Sequence, residues 1–486
     1  MNKKRIRIIL GIMMLTNIGT ALFMHNKKHK EASINYSPIL GDWSGILDVG
    51  LMKMHTVLHI QKNAEGKLSA TLDNLSVKAL GIPIDIITFN DNQLQFEMTK
   101  TSVTFEGILS KDEKEISGKV IQNGQEFSLS LEKGLKAIGH TNRPQEPVAP
   151  YPYKEELVSY ENTEAGITLS GTLTIPSSNG TFPAVLLIAG SGPHDRDETV
   201  FGHKPFLVLA DYLTRQGIAV LRVDKRGCGK STGHYDTATS QDFAEDVQTG
   251  IAYLKSLPKI NPEQIGLIGH SEGGIIAPMV AAKSQDIAFL VLAGGPAATG
   301  DEILYEQNAL LLQASGESKE TIDELNTFQR QIFAILKKGS DLETTNRQLQ
   351  EITKNYLELP QENQKQSIIA LLNGAPKLFT PWFCYFLNFD PSTALKQVQV
   401  PVLAINGELD LQVSAKQNLP IISKALKEAG NTDYTTLELP KLNHLLQTCQ
   451  TGHVREYGEI EETISPSVLE LISGWILERT VQKTSG

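Results

Sequence analysis

The chain has few cysteines and few basic residues. Its three cysteines, Cys228, Cys384 and Cys449, are an odd number with no CxxC spacing, which excludes a disulfide framework and a structural zinc site. Lys and Arg number 45 against 55 Asp and Glu, a net charge of −10, so the basic face that nucleic acid requires is missing. Internal repeats and low-complexity tracts are absent. With 40% hydrophobic and 21% charged residues, a disordered or collagen-like chain is excluded as well. What is present suffices for about two to four globular domains at ~100–200 residues each.

The scarce positive charge is concentrated at one end. All seven basic residues of the first 30 precede any acid and flank an apolar run at 8–24. A basic stretch followed by a hydrophobic one is an export signature. Residues 1–30 are therefore expected to be an export signal or a membrane anchor. No small-x-small cleavage site better than Gly19-x-Ala21 is found, and a run of 17 residues is at the lower limit for spanning a bilayer. The expected location is periplasmic, secreted or membrane-anchored through this segment. The remainder carries 38 basic and 55 acidic residues, a net −17, so it has no electrostatic reason to cling to anionic lipid.

Residues 36–135 read as short alternating runs with no helical period. Strands are expected at 43–49, 54–61, 67–72, 84–89, 93–98, 102–109, 115–121 and 125–131. The connections have turn chemistry: Asn63-Ala64-Glu65-Gly66, Asn90-Asp91-Asn92, Lys111-Asp112-Glu113-Lys114 and the hairpin pair Asn123-Gly124. That spacing predicts a small all-β meander, closed into a barrel or left as a rolled sheet. Residues 143–153 hold Pro144, Pro147, Pro150 and Pro152, a linker composition.

From 154 to 486 strands and helices alternate, which predicts an α/β domain with a mostly parallel sheet. Near-continuous aliphatic runs at 184–189, 218–223, 265–269, 289–293 and 400–406 suit strands buried on both faces. Helices are expected at 206–216, 240–256, 271–282, 415–429 and 466–481. Between about 296 and 390 the alternation stops. Ile322, Leu325, Phe328, Ile332 and Ile335 form one apolar helical stripe, the mark of an inserted helical cap.

The chemistry concentrates in Ile265-Gly266-Leu267-Ile268-Gly269-His270-Ser271-Glu272-Gly273-Gly274. A buried strand running through Gly-x-Ser-x-Gly into a helix is a nucleophile elbow, with Ser271 as candidate nucleophile. A serine hydroxyl needs a base, and the base an orienting acid, on loops after later strands. Asp410 follows the strand at 400–406, with Glu408 as rival. His444 follows the strand at 434–439, with His453 as rival. The chain order is then Ser, Asp, His.

These residues, with Gly190-Ser191-Gly192-Pro193 and the run 224–231, Asp-Lys-Arg-Gly-Cys-Gly-Lys-Ser, resemble the α/β-hydrolase superfamily, and within it bacterial esterases of the serine aminopeptidase-like branch. The resemblance covers about two thirds of the chain. It implies an α/β-hydrolase fold, a triad of Ser271, Asp410 and His444, and an oxyanion hole from the N–H of Glu272 plus that of Ser191 or Gly192. Gly229-Lys230-Ser231 is similar to the end of a phosphate-binding loop, but that pattern needs glycine where Asp224 stands. Asp224 and Arg226 are expected to pair and brace a tight turn. The cluster at 195–198, Asp-Arg-Asp-Glu, either recognises a substrate amine or is paired. Trp382, Phe383, Tyr385 and Phe386 either line an acyl pocket or pack cap against core. The expected function is hydrolysis of small-molecule esters with small to medium acyl groups, with no metal or organic cofactor. A peptidase or thioesterase with the same triad is the alternative within this chemistry. An envelope binding or scaffolding protein with a vestigial hydrolase domain is the alternative outside it.

Overall fold

The computed structural model describes residues 35–480 apart from 50–52, 64, 75–78, 123–124, 135–141, 340–341 and 358–379. The segment at 1–30, the Asn123-Gly124 turn and part of the expected cap lie outside the described residues. The chain divides into two compact units, Met1–Asn142 with Tyr356–Ala375, and Arg143–Asn355 with Pro376–Gly486.

The first unit holds an antiparallel sheet: β1 Gly41–Asp48, β2 Lys53–Lys62, β3 Leu68–Asn74, β4 Ala79–Pro83, β5 Ile86–Asn90, β6 Gln93–Met98, β7 Val103–Leu109, β8 Glu115–Gln122 and β9 Gln125–Lys133. Alternation decides which face turns inward. In β6, Leu94, Phe96 and Met98 are buried while Gln93, Gln95 and Glu97 are exposed, the period of two that a one-sided strand requires. Trp43, Leu58, Phe105, Ile116 and Leu131 are fully buried beside Leu94. The Trp43 indole N–H donates to the Ile39 carbonyl at 2.8 Å, so burial strands no polar atom.

The order β4-β3-β2-β1-β9-β8-β7-β6-β5 is open. Of barrel and rolled sheet, the rolled sheet forms. Its two edges share no ladder, and the chain between them spans the seam: the N–H of Ile84 donates to Ala70 of β3 and that of Asp85 to Glu97 of β6. The strand that the sequence pattern misses is β4, Ala-Leu-Gly-Ile-Pro. Its glycine and proline argue against a strand, yet an edge position tolerates proline.

The second unit alternates as expected: β10 Tyr153–Asn162, β11 Ile167–Pro176, β12 Phe182–Ile188, α1 Pro205–Arg215, β13 Ala219–Val223, α2 Ser240–Lys255, β14 Ile260–His270, α3 Gly273–Ala281 and β15 Phe289–Ala293. The inserted helices follow, α4 Gly300–Ala314, α5 Lys319–Lys337, α6 Leu342–Leu357, α7 Pro381–Asn388 and α8 Ser392–Leu395. Then come β16 Val402–Gly407, α9 Ala415–Glu428, β17 Tyr434–Leu439, α10 Val454–Tyr457 and α11 Pro466–Thr480.

Sheet order is β10-β11-β13-β12-β14-β15-β16-β17. The first two strands are antiparallel to their neighbours and the rest run parallel. This is the α/β-hydrolase fold. Both faces are covered, which explains the unbroken aliphatic runs. Ala184, Leu186 and Ile188 of β12 pack with Phe243 of α2, Ile276 of α3 and Ile422 of α9. Val185 and Leu187 point the other way, toward Leu209 of α1 and Ile472 and Trp475 of α11. The Pro-rich residues 143–153 are fastened to this unit: Arg143 donates to the carbonyls of Phe201, Gly202, Gly458 and Ile460, and Gln145 to that of Ile464.

Trp43→Ala removes the largest side chain at the centre of the curled sheet and should cost about 3–5 kcal/mol. Denaturant melting followed by far-UV circular dichroism should show the β-rich unit unfolding at markedly lower urea than in wild type.

Candidate active site

The turn after β14 carries Ser271 at φ 52°, a left-handed conformation that a serine keeps only when its surroundings impose it. The Ser271 N–H donates to the carbonyl of Ala293 at the end of β15 (2.9 Å), and the Gly274 N–H closes the turn on the Ser271 carbonyl (2.8 Å). The flanking glycines leave room for this. A Cβ on Gly269 would lie 2.1 Å from the Gly273 carbonyl oxygen, and one on Gly273 2.1 Å from that of Ile188. Helix α3 starts at Gly273, two residues later than the sequence pattern suggests, because the turn itself consumes Ser271 and Glu272.

Asp410 lies beyond β16 and His444 beyond β17, both buried. His444 Nδ1–H donates to Asp410 Oδ2 at 2.8 Å. Asp410 Oδ1 accepts the N–H groups of Gln412 and Val413, each at 2.8 Å, so the carboxylate is anchored on its far side. With the proton on Nδ1, Nε2 is the ring atom left to take one up. This pair meets the elbow at Gly294. The preceding residue, Ala293, receives the Ser271 N–H, while a Cβ on Gly294 would come 3.2 Å from His444 Nδ1 and 3.5 Å from Asp410 Oδ2. Ser271, Asp410 and His444 are thus gathered at the carboxyl edge of the sheet, where sites of open α/β sheets form. The rivals are engaged elsewhere. Glu408 is exposed and accepts the Lys441 N–H at 3.0 Å. His453 caps α10 and contacts Ser315 at 3.3 Å.

Among the three expected oxyanion donors, Gly192 gives its N–H to Tyr235 Oη at 3.0 Å. The N–H groups of Ser191 and Glu272 have no partner among the described residues. The Glu272 side chain is clamped: its carboxylate accepts from Ser240 Oγ (2.7 Å), Trp382 Nε1 (2.6 Å) and Lys225 Nζ (3.2 Å). Trp382 belongs to the last long helix of the insert and stacks on Phe386 at 5.2 Å, and Phe383 meets Phe333 of α5 edge-on. These aromatics pack cap against core.

The acidic cluster is spent internally. Asp195 accepts from Thr199, Arg196 pairs with Asp224 at 2.7 Å, Asp197 pairs with Arg222, and Glu198 pairs with His270 at 2.9 Å. The expected Asp224–Arg226 pair is not formed. Asp224 turns toward Arg196 and accepts the Lys230 N–H at 2.9 Å, whereas Arg226 reaches α2, where Asp246 (2.7 Å) and Asp242 (3.2 Å) present their carboxylates. Both residues brace the turn, with other partners.

His270 is the neighbour of these residues that sequence reasoning passes over. Its Nδ1 faces Glu198 Oε1 at 2.9 Å and its Nε2 the His444 carbonyl at 3.0 Å. Burial by itself lowers the pKa of this ring, but the Glu198 carboxylate overrides burial and holds it up at about 9. The only signal for His270 in the sequence is its place inside the Gly-x-Ser-x-Gly pattern. Among the described residues no cluster of three or more His, Cys, Asp or Glu side chains could hold a metal ion.

A family model described as serine aminopeptidase, S33, matches residues 204–448. The chain belongs to this α/β-hydrolase family. Esterase EstD of Thermotoga maritima is 29% identical over 353 residues, covering 69% of this chain and 76% of its own length. A putative carboxymethylenebutenolidase of Synechocystis sp. is 28% identical over 129 residues, 25% of this chain and 52% of its own. Among solved structures, an esterase of Pyrococcus furiosus is similar over 70% of this chain and 97% of its own, at 18% identity and a TM-score of 0.39.

Asp410→Asn keeps the shape of the acid but removes the charge that holds Nδ1–H toward it. The hydrolytic rate should fall by ~10⁴ at neutral pH, with an unchanged circular dichroism spectrum.

Proposed function

We propose that the protein is a carboxylesterase that cleaves small to medium acyl esters through an acyl-enzyme on Ser271. The observation that carries this reading is the buried 2.8 Å bond between His444 and Asp410 beside a serine held at φ 52°. His444 Nε2 takes the Ser271 proton as Oγ attacks the ester carbonyl. The tetrahedral oxyanion faces the N–H groups of Glu272 and Ser191, and losing one such donor typically costs ~10²–10³ in kcat. The proton then passes from His444 to the leaving alcohol, and water repeats the cycle to release the acid. The relationship to an esterase from Thermotoga maritima supports ester chemistry.

An aminopeptidase reading draws support from the family description. It is disfavoured by the site itself, since the carboxylates of Asp195, Asp197 and Glu198 are all engaged within the protein, and the one oxygen of Glu198 without a partner among the described residues, Oε2, is buried away from any substrate amine. Turnover of p-nitrophenyl acetate and butyrate by wild type, lost in Ser271→Ala, is the expected result. Equal inertness of both proteins across acyl lengths sinks the esterase reading. Faster cleavage of aminoacyl anilides or acyl-CoA in the same assay transfers the activity to a peptidase or thioesterase.

We further propose that residues 1–30 export the chain, on the strength of their basic and apolar pattern. No helix among the described residues is long and apolar enough to cross a membrane. Full-length protein expressed in a bacterial host should be found outside the cytoplasm, and a variant lacking residues 2–30 should stay in the cytosol. Equal partition of the two contradicts export by this segment.

A further inference from the structure

His270 occupies a position that the catalytic steps above do not use, and it is bonded to both halves of the site. Nδ1 faces Glu198 Oε1 at 2.9 Å, and Nε2 faces the backbone carbonyl of His444 at 3.0 Å. The same Glu198 oxygen accepts the Gly190 N–H at 2.6 Å. Glu198 therefore ties the ring to the residue just before the candidate oxyanion donor Ser191. The imidazoles of His270 and His444 lie 5.0 Å apart between centroids. The space is filled to the limit: a Cβ on Gly190 would be 3.1 Å from Ser271 Cβ and 3.2 Å from Glu198 Oε1.

A carbonyl oxygen can only accept, so Nε2 carries a proton, and a second proton lies between Nδ1 and Oε1. Burial disfavours charge on either group. Even so, the Glu198 carboxylate raises the His270 ring to about 9, and the ring holds the buried carboxyl below its usual range. The second proton therefore sits on His270. Glu198 is itself buried, so water does not compete for the shared proton.

We propose that His270, as an imidazolium paired with Glu198, is a positioning residue that locks the His444 carbonyl and the Gly190 N–H onto the residue preceding Ser271. The strand end that supplies the nucleophile then also fixes the spacing of the base loop and the oxyanion loop. The inference rests on the ester-hydrolase reading of Ser271 and His444. The ionisable groups facing the ring are Glu198 and His194 from the loop after β12, Asp410 from the loop after β16 and His444 from the loop after β17. The folded-state pKa is raised above the ordinary 6.5 to about 9. The contribution of the pair is therefore complete below about 6.5 and is lost as pH rises through about 9.

The test compares wild type, His270→Gln and Glu198→Gln for kcat and KM on p-nitrophenyl butyrate from about pH 6 to about pH 10, with NMR of ¹⁵N-histidine-labelled protein. A glutamine can satisfy one of the two acceptors but cannot bridge them. Misplacement of the base and oxyanion loops should lower kcat on the order of 10- to 100-fold with KM within about twofold. The wild-type kcat should decline above about pH 9, and that limb should be missing from His270→Gln. The His270 ring, assigned as the signal missing from His270→Gln, should stay doubly protonated at about pH 8 in wild type and lose its second proton near pH 9. Should His270→Gln fail to fold, Glu198→Gln and the wild-type NMR titration decide. Wild-type kcat in both variants, or a His270 ring that is not doubly protonated at about pH 8, overturns the proposal. The two readings separate cleanly. Wild type and Ser271→Ala equally inert sinks the esterase, with the ring's protonation still judging this inference; an active wild type indifferent to both substitutions sinks this inference alone.

Discussion

The catalytic edge of the molecule depends on how closely the chain passes itself at the elbow. Gly269 and Gly273 meet with so little room that a Cβ on the first would lie 2.1 Å from the carbonyl oxygen of the second, and Gly273 is equally close to the Ile188 carbonyl. Any side chain there would force strand β14, helix α3 and the end of β12 apart. This backbone contact puts Ser271 into the left-handed region and aims its N–H at Ala293. That bond sets the elbow against Gly294, the point that touches both His444 and Asp410. The strained serine is thus a consequence of packing among three parallel strands, and the sheet's hydrophobic faces hold the strain in place.

Around this contact the protein buries many charges and pairs them. Asp224 with Arg196, Asp246 with Arg226, Glu272 with Lys225 and Glu198 with His270 are four such ion pairs. Burying two charges costs desolvation that roughly cancels their attraction, so such pairs add little net stability, whereas removing one partner costs about 3–5 kcal/mol. Their value here is geometric. Each joins a loop to a neighbouring element: the loop after β12 to that after β13, the loop after β13 to α2 and to the elbow, and the loop after β12 to the elbow again. The loops are therefore defined by partners whose alternatives are all unpaired charges in an apolar surround.

What the sequence shows and what it conceals follow from the range of the interactions. The strand pattern, the insert, Ser271, Asp410 and His444 are legible because each rests on local information: a run of aliphatic residues, a turn, a residue placed just after a strand. The pairings are not legible, because they join residues far apart in the chain. Glu198 and His270 are 72 positions apart, and Trp382 and Glu272 are 110 apart. Composition at 195–198 reveals that charges are present but not which way each turns. Asp224 and Arg226 are neighbours in sequence, yet in the loop between β13 and α2 their side chains turn to Arg196 and to α2. Strand β4 hides for the opposite reason, since its local sequence argues against the structure that tertiary context imposes.

The same logic accounts for Glu272, whose backbone and side chain face different neighbours. Its N–H, at the mouth of α3, is free of partners among the described residues and benefits from the positive end of the helix. Its carboxylate points the other way, into donors from the loop after β13, the start of α2 and the insert's helix α7. In the proposed esterase mechanism, a carboxylate directly in line with the oxyanion would oppose the negative charge that develops there. Held instead by Lys225, Ser240 and Trp382, it is neutralised by a cation and two neutral donors, and three elements fix the peptide whose N–H must stay in place. Because one of those donors is Trp382, the helix that closes the inserted segment is structurally continuous with the elbow, and a cap distant in sequence becomes part of what orients the reacting edge.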